Sequence, residues 1–233
     1  MKSERRKIGL LGVIVMVMAI HSVTQSREFQ TIAFLYFDNN SLVDREELQP
    51  LTKGMADMFI TEFSALENIQ VVERAQLEKL LNEIALGQTG LLQESSAQQV
   101  GKMLGAQYLV FGSFMNLFND QFRIDVRIVQ VETGLTIRAE QETGRKKDFF
   151  KLVKKLSARI LKNLQLKITE SDIEHLTSVD NTSFDAAIFY SRGLDYEDKG
   201  DISSAKKMYE KALKENPNFK SAKIHLEKLG SVK

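Results

Sequence analysis

The chain of 233 residues contains no cysteine, no tryptophan and only two prolines, Pro50 and Pro217. Without cysteine it can form no disulfide bond and offers no thiol for lipid attachment, so we do not expect a lipoprotein. The scarcity of proline argues against long extended linkers. Lysine and arginine (32) nearly balance aspartate and glutamate (31), which excludes the electrostatic footprint of a nucleic-acid-binding protein.

Residues with obvious chemistry are also scarce. The three histidines, His21, His175 and His225, stand alone, whereas metal ligands come in spaced sets. Hydrolase, zinc-protease and Walker motifs are absent, and Gly101–Gly105 lacks the Gly-Lys-Ser/Thr ending of a phosphate loop. The sequence therefore predicts a protein that is not an enzyme, with no catalytic residue, no metal and no cofactor.

The N-terminus has the layout of a signal peptide. Four basic residues within positions 2–7 precede the apolar run Ile8–Ile20, and a polar stretch follows. As a helix this run would span about 20 Å at ~1.5 Å per residue, short of the ~30 Å hydrocarbon core. Because no clear Ala-x-Ala cleavage site follows, residues 1–26 are either a signal peptide or an uncleaved anchor. Both readings predict a periplasmic protein, with membrane contact only through this segment if it is uncleaved.

Residues 27–168 show the pattern of an α+β domain. Thr31–Phe37 is a continuous apolar run of strand length, and the segment 122–128 alternates apolar and charged residues, which indicates a strand with one buried face. Apolar residues at helical spacing separate and follow these strands. The resulting order, β-α-β-α-α-β-β-β-α, predicts a mixed sheet with helices packed on one face.

Each of two charged features within this domain has both a structural and a functional interpretation. Glu73-Arg74 stands where a strand enters a helix, and we expect an ion pair or cap there rather than a ligand site. Seven basic residues line the helix predicted over 146–164. We expect this stripe to be a solvated face, with binding to anionic lipid or glycan as the alternative.

Several short motifs in order resemble the curli production assembly/transport (CsgG) family, whose members work in the periplasm and outer membrane of Gram-negative bacteria. They are Ile69–Arg74, the helix containing Leu80–Glu83, and Gly105–Ser113. The resemblance extends back to Thr31 and forward to Leu166. It implies the CsgG-like fold and a non-catalytic role in envelope assembly.

The chain departs from the channel-forming members of that family at two places. Those members carry long amphipathic hairpins that cross the membrane, one before and one after the strand pair around the Thr-Gly motif. Here Asn119-Asp120 leaves room only for a tight turn, and Thr143-Gly144 leads directly into a predicted helix. A membrane-spanning strand needs about 9–11 residues. We therefore expect the soluble domain of the family without the transmembrane hairpins.

The C-terminal part, residues 184–233 after a polar linker at 169–183, resembles one tetratricopeptide (TPR) repeat with a capping helix, an all-α hairpin. The residues at the pattern's packing positions are Phe189, Gly193, Tyr196, Ala205, Tyr209, Ala212 and Pro217. We predict that Tyr190, Leu194 and Glu197 form its partner-binding face. Because about three repeats are normally needed for a continuous core, one repeat must be covered by the main domain, another subunit or a partner.

Two functions remain open from the sequence. The first is a non-catalytic periplasmic assembly or scaffolding protein that binds protein partners of the cell envelope through its TPR, and that could form a homo-oligomer. The second is a periplasmic regulator of an envelope enzyme such as a peptidoglycan synthase, because similar small domains occur in lipoprotein activators of such enzymes. The sequence names neither the partner nor the oligomeric state.

Overall fold

The computed structural model describes residues 29–84, 94–164, 169–177 and 183–231. The predicted signal segment, residues 1–26, lies outside these ranges. Within them, no helix combines the length and the apolar character needed to cross a membrane.

A mixed β-sheet forms the centre of the fold, as predicted. Its strands are β1 (Gln30–Phe34), β2 (Asp38–Asn39), β3 (Ile69–Val71), β4 (Tyr108–Asn116), β5 (Gln121–Gln130) and β6 (Leu135–Arg145). The order across the sheet is β3-β1-β4-β5-β6, and β2 continues the line of β1 beside β4. Strands β1, β2, β3 and β4 run parallel, whereas β5 and β6 form antiparallel pairs. The helical connections between the parallel strands account for this division, since parallel strands need crossover segments.

The helices alternate with the first strands and then close the chain. They are α1 (Leu51–Ser64), α2 (Arg74–Glu83), α3 (Glu94–Met103), α4 (Phe149–Asn163), α5 (Glu170–Thr177), α6 (Phe184–Asp198), α7 (Ile202–Glu215) and α8 (Lys220–Ser231). In α1 the predicted helical face is buried, from Leu51 to Phe63. The element order therefore follows the predicted one, with two additions: β2, and α5 in the segment predicted as a polar linker.

Helices cover both faces of the sheet, which corrects the expectation of a single covered face. Ile32 and Phe34 of β1 belong to the core that α1, α4 and α6 share, while Ala33 and Leu35 belong to a second core beneath α2 and α3. Side chains of a strand point alternately to opposite faces, so a strand that is apolar at every position needs cover on both. The uninterrupted apolar run at Thr31–Phe37 therefore indicates a strand that is covered on both faces.

The β4–β5 connection is a tight turn, as predicted. Asn119 and Asp120 have φ values of 60° and 59°, and Gln121 N–H donates to the Phe118 carbonyl at 3.4 Å. Two central residues with positive φ define the type I′ turn, whose twist matches that of a two-stranded ribbon. After β6, residues 146–148 form one turn of 3₁₀ helix and lead into α4. Neither connection contains an additional hairpin.

The C-terminal helices share the main core with the sheet. Phe184 packs against Phe122 of β5 and Phe149 of α4, with ring centroids 5.5 and 5.2 Å apart. The described half of the predicted polar linker, 169–177, contains α5, where Asp172 N–H donates to Thr169 Oγ1 at 3.1 Å. Leu176 of α5 is fully buried.

Candidate functional site

A buried charged cluster joins the main domain to the C-terminal helices, and Arg74 lies at its centre. Strand β3 ends at Val71, and Arg74 is the first residue of α2, with a side chain only 9% exposed. Its Nη1 lies 2.5 Å from Asp198 Oδ1 in α6, and its Nε lies 3.4 Å from Asp57 Oδ1 in α1. The ion pair expected at this strand–helix junction thus forms with distant segments of the chain, and Glu73 makes no side-chain cap.

Three further side chains extend the cluster toward the surface. Lys53 Nζ lies 3.1 Å from Glu78 and 2.7 Å from Asp198, so it bridges α2 and α6 from its position in α1. The Tyr36 hydroxyl donates to Glu78. Burial and this hydrogen bond to a carboxylate raise the pKa of Tyr36 well above its ordinary value, so the phenol stays neutral.

The other side of the cluster is centred on His225 of α8. Its Nδ1 lies 2.9 Å from Glu197 Oε2, and its Nε2 lies 3.4 Å from Asp57 Oδ2. The Tyr190 hydroxyl donates to Asp57, and the Tyr209 hydroxyl donates to Glu197 at 2.5 Å. Every polar group of this part therefore contacts a group from another helix.

His225 is held in its charged form by two carboxylate partners, Asp57 and Glu197. Burial alone would lower the pKa of His225, but its hydrogen bonds with Asp57 and Glu197 raise that pKa to about 9. Burial would raise the pKa of both carboxyl groups, yet the same imidazole holds both below their ordinary values. At neutral pH His225 is therefore an imidazolium between two carboxylates.

The Arg74 cluster holds four carboxylates and three bases. The acids are Asp57, Glu78, Glu197 and Asp198, and the bases are Lys53, Arg74 and His225. Buried ion networks of this kind fix how elements dock, because a group that loses its partner is left charged and unsolvated. In the described parts of the chain, no group of histidine, cysteine, aspartate or glutamate residues is arranged to hold a metal ion.

The residues predicted to form a partner-binding face lie inside this interface. Tyr190 and Leu194 are fully buried, and Glu197 is half-buried beside His225 and Tyr209. At the crossing of α1 and α6, a Cβ added to Gly54 would come 1.8 Å from Ser191 Oγ, so the two helices are in close contact. The main domain therefore covers this face of α6.

The residues predicted to pack the helical hairpin occupy the α6–α7 contact for the most part. A Cβ at Gly193 would lie 2.4 Å from Cε1 of Tyr209, and Tyr209, Ala205 and Ala212 are fully buried. Phe189 is half-buried, with Lys211 Nζ 5.6 Å from its ring centroid. The two outer positions differ: Tyr196 is 37% exposed, and Pro217 is exposed in the turn before α8.

The sheet face beyond α2 forms a concave surface. It is an open groove of about 1290 Å³. Its floor includes Ser113 of β4, Arg123 and Asp125 of β5 and Gln141 of β6, four polar side chains on neighbouring strands. Arg123 lies 2.6 Å from Asp125 and donates to Gln141 at 2.7 Å. These contacts pair Arg123 with its neighbours within the sheet itself.

The basic stripe of α4 is largely neutralised by acidic residues of this chain. Lys154 lies 2.6 Å from Glu62 of α1, and Arg159 lies 2.8 Å from Glu142 of β6. Lys151 pairs with Asp148 at 3.3 Å. The stripe thus forms an ion-paired face of the domain.

Sequence reasoning missed Asp57, Asp198 and His225 as members of one cluster. Asp57 carried a signal, because it is a charged residue between Met55 and Phe59 in an otherwise apolar helix face. A buried carboxylate needs a partner, so this position called for a cation from elsewhere in the fold. His225 carried no comparable signal in its own segment.

Comparison with known proteins finds a family model that is similar to the first part of this chain. The model of the family described as "Curli production assembly/transport component CsgG" matches residues 11–119, which include β1 to β4 and end in the β4–β5 turn. The predicted resemblance is confirmed for this segment. For residues 120–166 and for the TPR it stays a prediction. No curated protein matches the chain.

Several solved structures are similar to part of the chain, with low identity and low TM-scores. The C-terminal domain of LpoB from Salmonella enterica has 16% identity and a TM-score of 0.35, over 50% of this chain and 82% of that one. Lipoprotein GNA1162 from Neisseria meningitidis has 13% identity and a TM-score of 0.39, over 60% and 99%. The PelC dodecamer from Paraburkholderia phytofirmans has 10% identity and a TM-score of 0.36, over 60% and 91%.

Proposed function

We propose that the protein is a non-catalytic assembly or scaffolding component of the Gram-negative cell envelope. The observation that carries this proposal is the match of residues 11–119 to the CsgG family model, since members of that family act in envelope assembly. The buried ion pairs and hydrogen bonds of the Arg74 cluster support it as well, because they link the main domain to the C-terminal helices as a structural contact would. The chain would act in the periplasm after export by residues 1–26.

We further propose that the C-terminal helices are a TPR unit that contacts protein partners. The close approach of α6 and α7 at Gly193 and the buried positions Ala205 and Ala212 support this assignment. Since α1 covers Tyr190 and Leu194, partners would reach the unit at its outer surface or after a rearrangement of its helices. Copies of the chain are included among these partners.

Location is tested with a fusion of residues 1–40 to a reporter that is active only in the periplasm. The expected result is an active reporter, and the matched control is the same fusion without residues 8–20, which removes the apolar run. A silent fusion with normal expression would contradict export.

Partners are tested by crosslinking in intact cells, followed by capture of the full chain from envelope fractions and mass spectrometry. An assembly role predicts a complex of fixed stoichiometry containing structural or secretion components. Recovery of a cell-wall synthase as the main product would indicate the regulatory alternative instead. Recovery of the uncrosslinked chain alone, at normal expression, would contradict both.

A further inference from the structure

The exposed side of α7 carries a row of positive charge. Its three members, which we call the α7 lysine row, are Lys207, Lys211 and Lys214, and all of them are exposed. They lie opposite the buried residues Ala205 and Tyr209 of the same helix. Side chains three or four positions apart are neighbours on a helix surface, and like charges there repel one another. The row therefore weakens the helix unless an acidic group neutralises it.

Within the described ranges, none of these lysines forms an ion pair with a carboxylate. The acids nearest in sequence have other roles. Asp201 caps α7, where its Oδ1 accepts from Ser204 N–H at 3.0 Å, and it interacts with the row only at longer range. Glu215 accepts a hydrogen bond from the Ser183 hydroxyl at 3.4 Å. Glu210 lies beside the row, which nevertheless keeps an excess of positive charge.

The basic stripe of α4 provides a contrast within the same chain. There Lys154 lies 2.6 Å from Glu62, and Arg159 lies 2.8 Å from Glu142, so other elements of the fold supply the counter-charges. The described chain supplies no such partners to the α7 lysine row. Charge complementarity therefore points to an acidic group from another molecule.

The α7 lysine row borders a shallow hollow of about 290 Å³. Its lining also includes Glu210 and the half-buried Met208. Methionine is flexible and polarizable, and it adapts to apolar side chains of different shape. On one side Lys211 is held near α6, with its Nζ 5.6 Å from the ring centroid of Phe189. The hollow thus presents one apolar side chain among cations, and its complement is an apolar side chain between carboxylates.

The orientation of α7 favours a protein segment over a lipid surface as the occupant. A helix that lies in a membrane interface inserts a broad apolar face into it. In α7 the apolar residues Ala205, Tyr209 and Ala212 are fully buried within the protein, so that face is not available. The exposed side offers charged side chains and a single methionine.

We propose that the α7 lysine row and Met208 form a docking surface for an acidic segment of a protein partner, in which an apolar side chain lies between two carboxylates. The row extends over seven residue steps of helix, about 10.5 Å at 1.5 Å per residue. In an extended segment, residues i, i+2 and i+4 share one face over about 13 Å. Acidic, apolar and acidic side chains at these positions would match the row within the reach of lysine.

This inference rests on the proposed contact of the C-terminal helices with protein partners. It adds the surface that makes the contact and the chemistry of the segment that binds there. The surface lies on the outer side of α7, so docking requires no rearrangement of the packed helices.

The test uses the full chain and a fluorescent peptide with the core Glu-Ser-Leu-Ser-Glu. The row variant combines Lys207→Gln, Lys211→Gln and Lys214→Gln. We expect it to bind the peptide about tenfold more weakly than the wild-type chain does, because several exposed charge pairs of modest strength are lost together. Binding by the wild-type chain should also weaken as salt is added, since exposed pairs are screened. Fluorescence anisotropy measures these affinities.

A matched control removes the same charge from another helix. It combines Lys147→Gln, Lys151→Gln and Lys155→Gln, three exposed positions on or beside α4, and should bind the peptide as the wild-type chain does. A peptide with the core Gln-Ser-Leu-Ser-Gln should not bind. Equal losses in the two triple variants, or no binding of the acidic peptide to the wild-type chain, would overturn the proposal.

A lipid surface is distinguished by sedimentation with phosphatidylglycerol vesicles. If the wild-type chain binds these vesicles, the row variant does not, and neither chain binds the acidic peptide, the row serves a membrane and the proposal is wrong. The peptide and vesicle experiments depend neither on export nor on the crosslinked partners. Their failure is therefore distinguishable from a failure of the proposed function.

Discussion

At the residue scale, the clamped imidazolium of His225 makes stability depend on pH. Its pKa of about 9 lies above the ordinary value of 6.5, so its contribution is fully present below pH 6.5 and is lost as the pH rises through 9. The shift corresponds to about 3 kcal/mol. We expect the free energy of unfolding of the wild-type chain to fall over this range, measured by urea titration at several pH values. A His225→Gln chain should lack this slope, and superimposable profiles would show that His225 is not clamped.

The buried position of Tyr190 predicts a large cost of truncation. Tyr190 is fully buried and donates to Asp57, so Tyr190→Ala leaves a cavity and removes a donor from a buried carboxylate. We expect a loss of roughly 3–5 kcal/mol of stability. Tyr196→Ala, at a position 37% exposed, should cost less than about 1 kcal/mol. Urea midpoints at equal slope compare the two, and equal costs would contradict the burial of Tyr190.

The sequence could predict which of these residues pack but not what they pack against. The spacing of Gly193, Ala205 and Tyr209 indicates a close helix pair, because small residues and aromatics alternate across it. Tyr190 and Leu194 stand on the remaining face, and local spacing is the same whether a partner or α1 covers that face. The pairing of Asp57 with His225 joins opposite ends of the chain, so no local pattern contains it.

At the element scale, the contact between α6 and α7 can be tested by adding a single methyl group. A Cβ at Gly193 would lie 2.4 Å from the Tyr209 ring, whereas a Cβ at Gly230 of α8 would meet nothing within 4 Å. Gly193→Ala should therefore overpack the pair and cost about 1–3 kcal/mol. Gly230→Ala should be neutral or slightly stabilising, since alanine favours helix. Thermal unfolding followed by circular dichroism distinguishes them, and similar melting temperatures would show that the helices do not meet at Gly193.

Most elements were predictable in order and type from their apolar patterns, whereas β2 and α5 are short and polar and were not predicted. The placement of helices on both faces was also encoded, in the unbroken apolar run at Thr31–Phe37. The alternation at 122–128 predicts a strand with one buried face. Strand β5, which contains these residues, does have one apolar face in the main core. The two strands differ because β1 lies in the middle of the sheet beneath α2 and α3, whereas much of the outer face of β5 forms the polar groove.

At the scale of the whole molecule, the C-terminal helices and the sheet share one core, so they should not unfold as independent units. Phe184, Tyr190 and Leu194 of α6 belong to the same buried cluster as α1, α4 and β5. Removal of residues 183–233 would expose this cluster and leave the Asp57–Arg74 pair without its partners from the C-terminal helices, Tyr190, Glu197, Asp198 and His225. We expect such a shortened chain to show no cooperative thermal transition in calorimetry, since its loss includes buried aromatics and a buried ion network.

The matched control is a chain that ends after residue 218 and lacks α8 together with Phe219, which packs against Phe150 and Tyr190. Because α6 and α7 still cover the sheet and α1, this chain should keep a cooperative transition at a lower melting temperature. Added peptide 219–231 should raise that temperature, since a ligand that binds only the folded state stabilises it in proportion to its concentration. If the chain lacking residues 183–233 instead melted at the temperature of the full chain, the hairpin would be a separate domain. Docking through the Arg74 cluster would then add nothing to the stability of the main domain.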